Sequence, residues 1–291
     1  MINKNKLEYF LFIILVKIVN LFGFSRIKYL AKFFGLIFFY FIPIRKKIVI
    51  ANLKIAFPEK NKKDIKKLTL QNYISFFATL FEIMSIPKLS KEKILSLVEW
   101  GNIEIFSGIF RRNKGIFLLT AHIGNWELSA IAASLFLKKK FFVLAKQQRN
   151  QYFSDWLNKM RKTFGNKVIP LGMSVRDIYI ALKEKNIVGV VGDQRGPKDG
   201  LRVKLFNKDT SVYEGTAEIA LKLNIPIVAA MTIRKQDYSF KVIFEEIKYN
   251  TYSNDNNEKI IKINQEYMNI LERTIREYPS QWFWMHKIWK Y

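Results

Sequence analysis

Residues 115–127 read Gly115-Ile116-Phe117-Leu118-Leu119-Thr120-Ala121-His122-Ile123-Gly124-Asn125-Trp126-Glu127. The apolar run from Ile116 to Leu119 has strand length and fits a strand buried on both faces. Gly124 tolerates unusual backbone angles and Asn125 is a good helix N-cap, so the strand gives way to a helix at this point. His122 is one of two histidines in 291 residues. A neutral imidazole takes a proton near pH 7, and a carboxylate fixes its tautomer. Glu127 follows five residues later, which on a continuous helix is about 500° and therefore another face. The two side chains meet only if His122 lies in the turn and Glu127 in the first turn of the helix. The alternative is a strand–helix junction whose histidine does no more than bond to backbone.

Working outward, the same alternation continues to the end of the chain. Strands are expected over 116–119, 141–144, 187–191, 227–233 and 240–244. Helices are expected over 61–84, from 126 to about 137, and over 152–164, 176–185, 214–223 and 259–278. A short helix near residue 51 stops at Phe57, before Pro58. Apolar strands alternating with amphipathic helices predict an α/β fold with a mainly parallel central sheet covered on both faces. Ligand sites in such folds gather at the carboxyl ends of strands, here the loops after Leu119, Leu144 and Val191.

Residues 7–24 (LEYFLFIILVKIVNLFGF) and 27–44 (IKYLAKFFGLIFFYFIPI) are strongly apolar and flanked by Lys4, Lys6 and Arg45-Lys46-Lys47. The first run has about the length of a membrane span, but Glu8, Lys17 and Asn20 interrupt it. It has no small-residue cleavage site, so a removable signal peptide is not expected. Three arrangements stay open: a spanning helix, a shallow helical pair in the interface, or helices covering the rest of the protein. The expected organisation is a membrane-associating segment over 1–45 and a single domain over 46–291.

Lys and Arg number 49 against 24 Asp and Glu, a formal net charge of +25. The cations are scattered, without the dense runs of a nucleic-acid-binding tail, so nucleic acid is not the expected partner. An anionic membrane surface or an acidic protein suits a basic chain with an apolar N-terminal region. Without cysteine, the chain has no disulfides, thiolate metal sites or cysteine nucleophiles.

The loop after residues 141–144 reads Ala145-Lys146-Gln147-Gln148-Arg149-Asn150, and that after 187–191 reads Gly192-Asp193-Gln194-Arg195-Gly196. The tail carries Pro279-Ser280-Gln281-Trp282-Phe283-Trp284-Met285-His286-Lys287. With the H-x4-E box of His122 and Glu127 and the early Asn52…Phe57-Pro58, these segments resemble the bacterial lipid A late acyltransferases. The resemblance covers nearly the whole chain. The H-x4-E box alone is moderately specific, since glycerolipid acyltransferases carry an H-x4-D box; the ordered combination is much more specific.

The resemblance implies a glycerolipid-acyltransferase-like fold and transfer of a fatty acyl group from acyl-acyl carrier protein to a hydroxyl of a lipid A precursor. It implies a bacterial inner-membrane location with the site facing the cytoplasm. His122 would be the general base and Glu127 its orienter, with Asn125, Arg149, Asp193, Gln194 and Arg195 as substrate-binding residues. A thioester is already activated, so the reaction calls for a base, oxyanion stabilisation and orientation, and for no metal or other cofactor. Asp193 and Gln194 stand beside Gly192 and Gly196, where backbone can approach a ligand. Arg149 and Arg195 offer phosphate affinity. His286 reads as structural within the aromatic tail, and Ile288 stands where the family commonly has a basic residue. Glu214-Gly215-Thr216 is similar to a box of the glycerolipid acyltransferases but reads here as a helix start. A lysophospholipid or another glycolipid is the alternative acceptor. A non-catalytic basic membrane protein is the alternative of another class.

Overall fold

Four of the five residues of the strand Ile116–Thr120 are at most 5% exposed, which a strand achieves only when both of its faces are covered. Phe117 and Leu119 point into one hydrophobic core, Ile116 and Leu118 into a second on the other face of the sheet. The computed structural model describes residues 3–172, 175–249 and 255–290. Met1 and Tyr291, the outer limits of the two expected segments, lie outside the described residues.

The chain runs α1 (Lys4–Phe22), α2 (Ile27–Tyr40), α3 (Lys46–Ala56), α4 (Lys62–Ser85), α5 (Lys91–Ser96), β1 (Val98–Gly101) and α6 (Ile105–Arg111). It continues with β2 (Ile116–Thr120), α7 (Trp126–Leu137), β3 (Phe141–Ala145), α8 (Gln151–Lys162), β4 (Lys167–Pro170), α9 (Val175–Lys183) and β5 (Ile187–Val191). The remainder is β6 (Arg202–Leu205), β7 (Lys208–Ser211), α10 (Gly215–Leu223), β8 (Ile227–Arg234), β9 (Phe240–Ile247) and α11 (Asn256–Glu277). Side chains set the helix starts: Asn61 accepts from Asp64 N at 3.0 Å, Ser90 from Lys93 N at 3.1 Å, and Asn125 from Leu128 N at 3.0 Å.

Seven strands form one sheet in the order β1-β9-β8-β2-β5-β3-β4. Every neighbouring pair is parallel except β8 and β9, so the expected mainly parallel sheet flanked by helices is what the chain forms. The short strands β1 and β4 and the separate β6–β7 hairpin are additions to the expected set. They are four residues long, too short for a periodic signal to stand out. The hairpin turns through Phe206 and Asn207, both at positive φ.

The N-terminal region does not form one continuous helix. The α1 segment and residues Phe24–Tyr40 are bent by 96° at Gly23, and no single helix among the described residues is long and apolar enough to cross a membrane. Both helices pack on α4, with Val19, Ile27 and Ala31 buried against Phe77, Phe81 and Met84. Gly35 allows the close approach of α2: a Cβ there would lie 2.8 Å from the Cα of Ile74.

Candidate active site

Thr120 and Val191 are register partners on the adjacent parallel strands β2 and β5. His122 and Asp193 each stand two residues beyond their partner, so the two loops leave the sheet side by side. Nδ1 of His122 lies 2.6 Å from Oδ1 of Asp193, and the His122 backbone N–H donates to Oδ2 at 2.8 Å. The indole Nε1 of Trp282 donates to the same Oδ2 at 2.7 Å. Asp193 is 3% exposed and is thus surrounded by three donors in a site that water scarcely enters.

The electrostatics follow. Burial is the largest influence on Asp193 and would raise its pKa, but the His122 charge and the three hydrogen bonds outweigh it and hold the carboxyl below its usual value of 3.8. For His122, burial is again the largest influence and would lower the pKa. The Asp193 charge and hydrogen bond, with the Glu127 charge beyond them, prevail and raise it above 6.5. With Asp193 ionised, Nδ1 carries the ring hydrogen, and Nε2 is the nitrogen that can take a proton. Gln194 Nε2 stands 3.5 Å from His122 Nε2, on the same side as the free ring edge. The imidazole retains 19% exposure and packs edge-on against Trp126, ring centroids 4.7 Å apart.

Glu127 occupies the first turn of α7, as the spacing required. Its carboxylate, however, is engaged by Arg161 of α8, which donates through Nε at 2.9 Å and through Nη2. The carboxylate bonded to His122 is therefore Asp193, in place of the Glu127 orienter expected from the sequence. The physical reason is direction: α7 starts by turning Glu127 towards α8, while the β5 loop delivers Asp193 to the imidazole.

The turn carrying His122 rests on a buried polar network from α4 and β8. Gly124 takes φ +56°, and a Cβ there would lie 2.4 Å from the carbonyl oxygen of Thr232, so only glycine fits. Thr79 donates to Gly124 O at 2.7 Å and accepts from Arg234 Nη2 at 2.7 Å. Arg234 grips Glu82 through Nε at 2.6 Å and Nη2 at 2.7 Å, and Asn125 Nδ2 donates to Glu82 Oε2 at 3.2 Å. Glu82 is fully buried, so the pair and its hydrogen bonds satisfy each other in the absence of water. Asn125 thus caps α7 and is tied to Glu82; the structure gives it a supporting position beside the site.

The aromatic tail completes the site from a third direction. Ile123 pairs with Trp282 as an isolated antiparallel bridge, and Phe283 N donates to His122 O at 2.9 Å. Asn72 Nδ2 donates to the carbonyls of Ser280 and Trp282, and Asn52 Nδ2 to those of Trp284 and His286, at 2.6–3.0 Å. The early Asn52…Phe57 motif is therefore a clamp for the tail, with Phe57 against Trp284 at 6.0 Å between centroids. Trp282 and Trp284 are buried, while Trp289 donates to Thr210 Oγ1 at 2.9 Å. Ile288 is buried as part of the core. Arg195 Nη1 donates to Lys287 O at 2.8 Å and Arg45 Nη1 to Met285 O at 3.0 Å, on either side of His286. Burial above all, with those guanidiniums and His122, lowers the pKa of His286, although Asp193 acts the other way.

Arg149 is placed apart from this cluster. Its side chain is 82% exposed and lies 3.7 Å from Glu8 of α1. Among the described residues no hydrogen bond joins it to His122, Asp193 or Gln194, and no three His, Asp or Glu side chains are grouped to hold a metal ion. Sequence reading missed Glu82, Arg234, Arg161 and the Trp282–Asp193 bond. The equal offsets of His122 and Asp193 from Thr120 and Val191 were the one available signal, and they needed the strand pairing to be seen.

Comparison with known proteins identifies the family. A family model described as bacterial lipid A biosynthesis acyltransferase matches residues 3–291. The lipid A biosynthesis palmitoleoyltransferase of Escherichia coli (strain K12) is 22% identical over 255 residues, 86% of this chain and 80% of the relative. The lipid A biosynthesis lauroyltransferase of the same organism is 23% identical over 253 residues, again 86% and 80%. With its whole described length matched, and with the Asp-Gln loop and the aromatic tail meeting at His122, the chain belongs to the bacterial lipid A biosynthesis acyltransferase family.

Proposed function

We propose that the protein transfers a fatty acyl chain from the thioester of acyl-acyl carrier protein to a hydroxyl of a lipid A precursor. The observation that carries this reading is the His122–Asp193 pair at adjacent strand ends, with Nε2 directed away from the carboxylate. His122 Nε2 removes the proton of the acceptor hydroxyl as its oxygen bonds to the thioester carbon. The resulting tetrahedral oxyanion collapses, the carbon–sulfur bond breaks, and the imidazolium returns its proton to the leaving thiolate. Asp193 stays ionised throughout and stabilises the imidazolium, and Trp282 and the His122 amide keep it in place. The substrate supplies the hydroxyl that a hydrolase would supply from its own serine.

Gln194, 3.5 Å from Nε2, is suited to donate to the developing oxyanion. Arg149, exposed on the loop beside α1, and Arg195, near the tail, are suited to acceptor phosphates. Glu127, held by Arg161, adds negative potential at His122 and fixes the start of α7 against α8. We place the protein at the bacterial inner membrane with this site facing the cytoplasm. The excess of Lys and Arg then favours both the anionic leaflet and an acidic donor protein.

Mass spectrometry of total lipid from cells with and without the gene tests the reading. Loss of one acyl group from lipid A, restored by the wild-type chain and not by His122→Ala, is expected. An unaltered lipid A with a changed phospholipid pool would replace the acceptor, and unaltered lipids altogether would remove the enzymatic reading. Donor KM should rise with ionic strength; a flat dependence would remove acyl carrier protein as the donor.

A further inference from the structure

The apolar residues of α1 that face outward fall on one line. Leu7, Phe10, Leu11, Ile14, Ile18 and Leu21 are between 39% and 84% exposed, and their spacing of three and four residues makes a single stripe. The opposite side of the same helix is fastened to the protein along its length. Phe12 packs edge-on against Phe153 and Trp156, Tyr9 stacks on Tyr152, and Val19 is buried in the α2–α4 cluster. Polar ties add to this: Asn150 Nδ2 donates to Asn5 O at 3.0 Å and to Glu8 Oε2 at 3.2 Å, and Asn20 Nδ2 to Met84 O at 3.2 Å. A helix spanning the bilayer would have to carry these partners, including the Asn150–Glu8 pair and the first turn of α8, into hydrocarbon.

The second helix repeats the pattern at a right angle. Tyr29, Phe33 and Tyr40 are 64%, 57% and 56% exposed, while Ala31, Gly35 and Phe39 on the other side are buried. Two apolar stripes on helices bent by 96° cannot lie along one line. Phe41 and Ile42, 80% and 52% exposed, extend it. Around it the sequence from Asn3 to Lys47 carries nine cations, Lys4, Lys6, Lys17, Arg26, Lys28, Lys32, Arg45, Lys46 and Lys47, against Glu8 alone. Apolar stripes rimmed by such an excess of positive charge complement a monolayer with anionic headgroups.

We infer that α1 and α2 lie flat in the interface of one leaflet, as an L-shaped platform that does not cross the membrane. The contacts of Asn150 and Arg149 with α1 then set the depth of the site, because these residues lie just beyond β3, at the carboxyl end of the sheet where His122 and Asp193 also stand. A hydroxyl on an embedded lipid reaches that end without leaving its leaflet. This deepens the membrane attachment proposed above and is independent of the chemistry at His122.

The cysteine-free chain permits a direct test. Single cysteines replacing Leu11, Ile14, Ile18, Leu21 and Phe33 are nitroxide-labelled in the full-length protein bound to phosphatidylglycerol–phosphatidylcholine vesicles. Their depths are read from collisions with oxygen and with a nickel chelate. A flat platform predicts one common depth, about 5–10 Å below the headgroups. A span predicts a ramp of about 1.5 Å per residue, so that Leu11 and Leu21 differ by about 15 Å; that outcome would overturn the flat arrangement while leaving membrane attachment intact. Leu11→Glu with Leu21→Glu, both on the exposed stripe, should lower the vesicle-bound fraction at least tenfold with unchanged thermal unfolding. Absence of vesicle binding by the wild-type chain, or a dimer in solution whose labels are buried between copies, would remove both the platform and the membrane attachment.

Discussion

Asp193 Oδ1 lies 2.6 Å from His122 Nδ1 across 71 residues of sequence, whereas Glu127, five residues from the histidine, faces Arg161. The two carboxylates therefore differ in what their loss does. Asp193→Asn keeps the shape but presents an amide to Nδ1, and kcat should fall by about 10³–10⁴-fold, by analogy with the aspartate of hydrolase triads. Glu127→Gln leaves the largely buried Arg161 without its counter-charge and should lower the unfolding temperature. It should also shift the acid limb of the rate profile downward, since the Glu127 charge helps to raise the His122 pKa. Steady-state kinetics against pH with calorimetry on both variants separates the two roles.

His122 must be neutral to accept a proton, and its pKa is raised above the ordinary 6.5. The kcat/KM of the wild-type protein should therefore decline as pH falls through a value above 6.5. A limb centred near the carboxylate range would show that the imidazole is not the base.

The same pair also makes stability depend on pH. The raised imidazole contributes fully below about pH 6.5, its value in the unfolded chain, and the contribution fades as pH rises through the folded pKa. Asp193, lowered from 3.8, contributes fully above about that pH and is lost as pH falls through its lower folded value. Urea unfolding across this range should show the wild-type chain gaining most over His122→Gln between the two unfolded values. Parallel curves at all pH values would deny the coupling.

On the proposed mechanism Trp282 is a positioning residue. Replacing it with Phe removes one of three donors to Asp193, and a hydrogen bond to a charged group is worth about 1.5–3 kcal/mol, so kcat should fall roughly ten- to a hundredfold. The Asp193 pKa should rise, since the indole helps to hold it down. A kcat unchanged from wild type would make the indole a packing residue only.

Beneath the turn, Glu82→Gln or Arg234→Met alone should destabilise the protein by about 3–5 kcal/mol, because each leaves a buried charge unpaired. Glu82→Leu combined with Arg234→Met should be less destabilised than the charge-breaking single variants, yet slow in turnover, because Asn125 and Thr79 lose partners that hold the His122 loop. Urea titration and kcat on the same samples check both halves.

Much of the sheet was legible from residue type alone. The apolar runs at 116–119, 187–191 and 227–233 are long enough to declare themselves, and Asn125 and Gly124 mark the turn between β2 and α7. The loops after β2 and β5 were legible as the place of the cluster but not as a set of bonds, and Arg149, on the loop after β3, stands apart from it. Which carboxylate reaches His122 depends on β2 lying next to β5, a tertiary pairing that no local pattern encodes. Glu82 lies within a helix whose apolar stripe was plain, yet nothing in that stripe indicates an arginine partner 152 residues later. The apolar N-terminal runs were legible as helices, whereas their 96° bend and their packing on α4 were not.

The tail has a consequence for how the molecule is made. Asn72 binds Trp282 across 210 residues, Asn52 binds Trp284 across 232, and Arg45 binds Met285 across 240. Loops of that length close late, because their entropy is lost before the distant contacts repay it. The segment that steadies Asp193 is thus among the last to dock, and once docked its two indoles lie buried in the core. The two N-terminal helices, by contrast, can settle on α4 while the rest of the chain is still being synthesised. A nascent molecule would then have its N-terminal helices in place while Asp193 still lacks the indole that donates to it.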